Sequence, residues 1–193
     1  MRKSSVPLLV FPSLILILIL FAFVGLHLPR CGRQEPQAPP SVPPEPRLVE
    51  PGHFVRADVL HAIDADTVRV RFGGWEGNVR LIGLDTPELG PPAEPWAEEA
   101  HDALWAVLPG DLMVYLEFDL AEWDQHGRRL AYVWRLIPRE YSEAEIRLWM
   151  VNAAMLERGW ARPLAVPPNL RYAELFEQLA REAKDAGKGL WAP

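Results

Sequence analysis

Between residues 54 and 136 apolar and polar side chains alternate in short runs. Val55–Ile63 (VRADVLHAI), Thr67–Phe72 (TVRVRF) and Asn78–Leu84 (NVRLIGL) largely follow a period of two, the pattern of half-buried strands. Asp64-Ala65-Asp66 separates the first pair and Gly73-Gly74 opens the second turn, so a three-stranded meander is predicted. The period then lengthens. In Pro95–Leu108 the residues Ala97, Ala100, Leu104, Val107 and Leu108 share one helical face, and Pro109-Gly110 ends it. Leu112–Phe118 and Leu130–Leu136 return to strand pattern, joined through the turn Asp124–Arg128 (DQHGR). Two more helices are predicted, over 146–158 up to Gly159 and over 170–186 up to Gly187. The order β-β-β-α-β-β followed by two helices predicts a mainly β, α+β domain: a five-stranded OB-fold barrel with three helices. On pattern alone a ferredoxin-like sheet remains an alternative.

The N-terminal quarter reads differently. Val6–Leu28 runs for 23 residues without Asp, Glu, Lys or Arg. As a helix it would reach ~35 Å, against a hydrocarbon core of ~30 Å. Residues 1–28 are therefore expected to form an uncleaved N-terminal transmembrane helix. A cleaved signal peptide is the rival reading, although no small-residue cleavage site is evident. Cys31 would suit a lipoprotein, but Pro29 and Arg30 stand where small residues are needed. Residues 29–50 contain Pro36, Pro39, Pro40, Pro43, Pro44 and Pro46. That density favours an extended, semi-rigid spacer over any helix. A globular domain is expected over residues 51–193.

Composition modifies this picture in two ways. A single Cys among 193 residues excludes an intramolecular disulfide framework and a Cys-based zinc site. The net charge is −6 for the chain. Residues 1–50 hold five basic and three acidic side chains, so the remaining fifteen basic and twenty-three acidic ones leave the domain at −8. An acidic domain is a poor general-purpose phosphate binder.

The polar residues at the strand ends nevertheless form a chemically coherent set. Asp66 and Asp85, from neighbouring turns, are suited to hold a hard cation through oxygen, with the Thr86 carbonyl as a third ligand. Glu88 is then available as a base. Arg80 and Arg128 can clamp a phosphate through two donors each. Singly, each has a plainer reading. Asp64 and Asp66 suit turn chemistry, Asp85-Thr86-Pro87-Glu88 suits a turn or helix cap, Arg80 a solvated strand face and Arg128 hairpin decoration. Metal, base and two guanidiniums together make a set suited to phosphodiester hydrolysis.

The motifs I-D-A-D-T-V-R-V, R-L-I-G-L-D-T-P-E, D-Q-H-G-R-R-L-A-Y-V, M-V-N-A-A-M-L-E-R-G-W-A and G-K-G-L-W occur in that order. From about Phe54 to Trp191 the chain closely resembles the staphylococcal-nuclease-like (thermonuclease) family. The resemblance implies an OB-barrel with three helices and calcium-dependent hydrolysis of DNA and RNA to 3′-phosphate ends. It implies Asp66 and Asp85 as calcium carboxylates, Thr86 as carbonyl ligand and Asp64 as a secondary, structural acid. It implies Arg80 as phosphate ligand, Glu88 as general base and Arg128 as the residue stabilising the transition state and leaving group.

Three departures stand out. The segment between Glu88 and Trp96 is Pro-rich and has no Lys, where the family's nuclease has a longer Lys-rich loop. His126 replaces an aromatic residue before Gly127-Arg128. The family's Tyr-rich stretch that stacks on nucleotide is here Pro163–Pro168 (PLAVPP). Trp96, Trp123 and Tyr172 are candidate replacements, although a Trp more commonly packs in a core. Residues 137–145 exceed what a tight connection needs.

The expectation is thus an anchored nuclease with DNA or RNA as substrate. Arg2 and Lys3 nearly balance Arg30 and Arg33 in setting membrane orientation. A nonspecific, calcium-using nuclease favours the extracytoplasmic side, or secretion if the N-terminus is cleaved. No feature indicates a protein partner. The contrasting expectation is a non-catalytic OB-fold module binding single-stranded nucleic acid or a protein.

Overall fold

The computed structural model describes residues 54–193; the expected membrane helix and Pro-rich spacer lie outside them. Among the described residues, no helix is long and apolar enough to cross a membrane.

Seven strands occur in chain order: β1 (Phe54–Ala62), β2 (Thr67–Phe72), β3 (Trp75–Leu81), β4 (Leu84–Asp85), β5 (Met113–Glu117), β6 (Arg129–Trp134) and β7 (Arg162–Pro163). Five close into a barrel in the order β1-β2-β3-β6-β5. All neighbours are antiparallel except β3 and β6, which pair in parallel through Val79↔Arg129, Arg80↔Leu130 and Leu81↔Ala131. The alternation in the sequence is the alternation of the barrel wall. In β2, Val68 and Val70 are buried while Arg69 and Arg71 face outward. The irregularity between Val59 and His61 bends β1, helping a short sheet to close.

The run read as one strand over 78–84 is two elements. It breaks at Gly83, whose φ of +82° suits glycine, and β4 then pairs with β7 as a separate two-stranded ribbon. An added Cβ at Gly83 would come within 2.5 Å of the Phe176 ring. The residue therefore serves both the turn and the close approach of a helix.

Four α-helices, not three, accompany the barrel: α1 (Ala97–Val107), α2 (Glu143–Trp149), α3 (Val151–Glu157) and α4 (Ala173–Asp185). The helix expected over 146–158 is divided at Met150, which is extended at φ −86°, ψ 126°. Met150 makes an isolated bridge with Trp134, and Arg135 donates its backbone N–H to Trp149 O. Edge pairing to β6 thus competes successfully with helix continuation. The 137–145 insertion leads into α2, whose first turn is capped by Ser142 accepting from Glu145 N–H.

Helix α3 lies at the centre of the helical layer. Val151 through Leu156 are all buried, and α3 packs against α1, α2, α4 and β6. Its one polar buried residue is fully used. Asn152 accepts from Val133 N–H at 2.8 Å and donates to Ile82 O at 2.8 Å, tying the barrel wall to the segment that leads into β4. That segment carries the site.

Candidate active site

The turn from β1 to β2 presents Asp64, Asp66 and Thr67. Asp64 Oδ1 accepts from the Asp66 N–H at 3.0 Å, an Asx turn that fixes the backbone. Asp66 points inward and is 1% exposed. One carboxylate oxygen accepts from Thr67 Oγ1 at 2.9 Å, the other from Thr86 Oγ1 at 3.1 Å.

Arg80, on β3 in register with Thr67 on β2, reaches the same carboxylate. Its guanidinium lies 2.8 Å from Asp66 Oδ2 and 3.3 Å from Asp85 Oδ1. It also donates to Leu84 O at 3.0 Å, which holds β4 against the end of β3. One guanidinium therefore serves two carboxylates. Burial pushes the Asp66 carboxyl up to about 7; Arg80 pulls it back and the nearby Asp64 adds to the rise.

Arg128 arrives from the turn before β6. Asp124 organises that turn: Oδ1 accepts from the N–H groups of His126 and Arg128 at 2.8 and 2.9 Å, and Oδ2 binds Arg128 Nε at 2.7 Å. Burial works against the Asp124 charge, but the Arg128 backbone and side-chain bonds outweigh it and hold this carboxyl below its ordinary value. Gly127, at φ +74°, lets the chain reverse. The Arg128 guanidinium reaches Thr67 Oγ1 at 3.4 Å. A continuous polar chain thus runs Arg128–Thr67–Asp66–Arg80–Asp85, with Thr86 bonded to Asp66.

The structure brings together Asp64, Asp66, Arg80, Asp85, Thr86 and Arg128. It does not join Glu88 to them. Glu88 is exposed on the loop after β4, its backbone bonded to Glu94, and its carboxylate makes no hydrogen bond or ion pair to the others. Two contributors escaped sequence reasoning. Thr67, directly after Asp66, bridges Asp66 and Arg128, and Asp124 positions Arg128. The second was legible, since an Asp two residues before the bonded N–H is the signature of an Asx turn.

Arg80 and Arg128 line one cleft of about 550 Å³. The lining also includes Leu164, Val166, Pro167 and Pro168, so the Pro-rich stretch contributes to the same cleft as the two guanidiniums. Trp123 lines the cleft too. Tyr172 is 7% exposed and bonds Glu117, which removes it as a base-stacking replacement; Trp96, 43% exposed, remains available.

The donor set determines what this site can hold. Among the described residues no three His, Cys, Asp or Glu side chains converge as a metal group. Two carboxylates and a carbonyl, all oxygen, suit a hard cation that completes its shell with water or substrate.

Residues 78–193 match the family described as Staphylococcal nuclease homologue. The chain belongs to the staphylococcal nuclease family. It is 36% identical to the thermonuclease of Staphylococcus hyicus over 137 residues, covering 69% of this chain and 74% of that protein. It is 34% identical to the Staphylococcus intermedius thermonuclease over 136 residues, with the same two coverages, 69% and 74%. Endonuclease YncB of Bacillus subtilis (strain 168) is 32% identical over 144 residues, 72% of this chain and 63% of that one. Membership of the staphylococcal nuclease family accords with the closed five-stranded barrel and its surrounding helices.

Proposed function

We propose that this staphylococcal nuclease family member hydrolyses phosphodiester bonds of DNA, RNA or both in a calcium-dependent reaction that leaves 3′-phosphate ends. The observation that carries the reading is the convergence of the Asp66 and Asp85 carboxylates with Arg80, while Arg80 and Arg128 share one cleft.

Asp66, Asp85 and the Thr86 carbonyl would hold the cation. Bound there, calcium would supply positive charge to the phosphate and acidify a water. Arg80 and Arg128 bind and orient the scissile phosphate through paired N–H donors, and their charge offsets the negative charge that grows in the transition state. Thr67 and Asp124 hold Arg128 ready for that task. Glu88, on the loop beside Asp85 and without an ion pair among the described residues, takes the proton of the attacking water on its carboxylate. The water oxygen forms a new bond to phosphorus as the P–O5′ bond breaks; the departing 5′ oxygen takes a proton from solvent and leaves as a hydroxyl, and the phosphate stays on the 3′ oxygen. Either Arg loss should cost on the order of 10²–10⁴ in rate.

We also propose that residues 1–28 anchor the enzyme in a membrane, with 29–50 as spacer and the domain outside the cytoplasm. The support is the uncharged 23-residue run and the hazard a calcium-using nuclease poses inside a cell. Fractionation with N-terminal sequencing tests it: an intact N-terminus in the membrane fraction agrees, and a shortened chain in the soluble fraction overturns the anchor.

The catalytic proposal is tested by incubating plasmid and RNA with the wild-type chain and Glu88→Gln, in calcium or chelator, and mapping the ends. Cleavage to 3′-phosphate ends that needs calcium and collapses in Glu88→Gln supports it. Equal cleavage by Glu88→Gln removes Glu88 as the base, and cleavage in chelator removes the metal.

A further inference from the structure

The chain leaving α3 carries side chains that the cleft does not use. Ala161 is buried, while its neighbour Arg162 is exposed and Trp160 half-buried. Arg162 pairs in register with Asp85 across the β4–β7 ribbon, so it stands one strand away from the site carboxylate. Its guanidinium lies over Trp191, 5.9 Å from the ring centroid, and Lys184 Nζ lies 5.4 Å from the same centroid. Neither Arg162 nor Lys184 has an ion-pair partner among the described residues. On the other side of Arg162 in sequence, the Trp160 ring meets Trp96 at 6.3 Å and 56°.

Trp96 is unusual. It precedes α1 in a left-handed conformation, φ +72°, and caps no backbone group with its side chain, yet the residue is 43% exposed. A bulky residue in that region is strained, and such strain collects where a side chain meets a ligand. Among the described residues Arg69, Arg71, Arg80, Arg128, Arg129, Arg147 and Arg171 are matched to carboxylates, whereas Arg162 and Lys184 belong to the cations that are not. An acidic surface repels a polyanion except where such cations stand clear. Exposed rings beside unpaired cations are the chemistry of single-strand recognition: rings stack on bases and cations meet phosphates. A duplex keeps its base faces covered and cannot use the rings.

We infer that Trp96, Trp160, Arg162 and Lys184, with Trp191 holding the two cations in place, form a track for the single-stranded nucleic acid that flanks the scissile phosphate. This rests on the nuclease reading of the adjacent site. Arg162 and Lys184 take flanking phosphates, and the Trp96–Trp160 pair takes an unstacked base. Length of strand, not the identity of the scissile bond, is then what the enzyme gains affinity from.

The test uses the full chain in detergent with calcium and compares a long single-stranded oligothymidylate, its oligouridylate counterpart and a dinucleotide. Trp96→Gly removes the ring and relaxes the positive φ, so the fold is not endangered. Its preference for either long strand over the dinucleotide should fall at least about 5-fold. Arg162→Gln should reduce the salt slope of long-strand binding by about 0.7, and Arg162→Lys should restore it. Equal effects on ribo- and deoxyribo-strands mark stacking and phosphate contact; an effect on one only adds a sugar contact. Fluorescence anisotropy of the uncleaved strands in chelator repeats the comparison without turnover. If the wild type cleaves nothing, the nuclease reading fails, while weaker strand binding by Trp96→Gly still upholds the track. An unchanged length preference together with an unchanged salt slope overturns it.

Discussion

Asp66→Asn should make the calcium-free protein more stable at pH 8 and inactive. Asp66 is 1% exposed, and its carboxyl is raised from 3.8 to about 7 with burial as the largest cause. For an acid with a raised folded value the sign is fixed. The fold prefers the protonated form, so its advantage is complete below pH 3.8 and is lost as pH rises towards 7. Ionised at pH 8, the buried carboxylate costs up to ~4 kcal/mol. Removing one member of a buried ion pair usually destabilises by leaving the other uncompensated. Here Arg80 keeps Asp85 Oδ1 at 3.3 Å and Leu84 O at 3.0 Å, so it is not stranded. The value of about 7 already contains the 2.8 Å Arg80 contact; because an amide offers one acceptor oxygen where the carboxylate offered two, we expect a net gain of about 1–3 kcal/mol at pH 8, shrinking to near zero by pH 4. Urea denaturation in chelator across that range measures it. Calcium should then stabilise the wild type and not the variant. A variant that is less stable at pH 8, or whose difference from wild type ignores pH, would refute the reasoning.

Three further outcomes follow from particular contacts. Asn152→Ala should cost about 2–4 kcal/mol in chemical denaturation, because it strands the Val133 N–H and the Ile82 carbonyl in a dry interior; a cost below ~1 kcal/mol would mean water replaces the amide. Gly83→Ala should lose about 1–3 kcal/mol, since φ is +82° and the new Cβ meets Phe176 at 2.5 Å, and a thermal melt reads this directly. Asp124→Asn should lower turnover by about 10-fold or more with little change in melting temperature, because it weakens the bond that aims Arg128; unchanged turnover would show that Thr67 suffices.

Much of the barrel was legible because its wall obeys period two, and because Asp, Gly and Pro mark its turns. Five strands, α1 and α4 all fall within a few residues of the pattern. The division of α2 from α3 was not legible. Ile146, Met150, Val151 and Met155 are all buried, so the apolar rhythm continues through a break caused by the backbone of Met150 bridging to Trp134, which hydropathy does not encode. The site shows the same contrast. Asp66, Arg80, Asp85 and Arg128 sit at strand ends, where motif order identifies them. Thr67 was hidden because a Thr opening a strand is ordinary, and its bridging role exists only once Arg128 arrives from 61 residues away. The PLAVPP stretch could be read as lacking tyrosines, but only the folded chain makes Leu164, Val166, Pro167 and Pro168 part of the cleft lining. Charge misled in one respect. The domain total of −8 says little about a cleft that contains two guanidiniums.

The most direct test of the central claim is cleavage of a defined single-stranded oligonucleotide by the full chain, with calcium in excess or removed, beside Arg128→Ala. The account predicts turnover in calcium, none in chelator, and a loss of about 10²–10⁴ in rate for Arg128→Ala. Turnover that persists in chelator, or that is equal in Arg128→Ala, would contradict it.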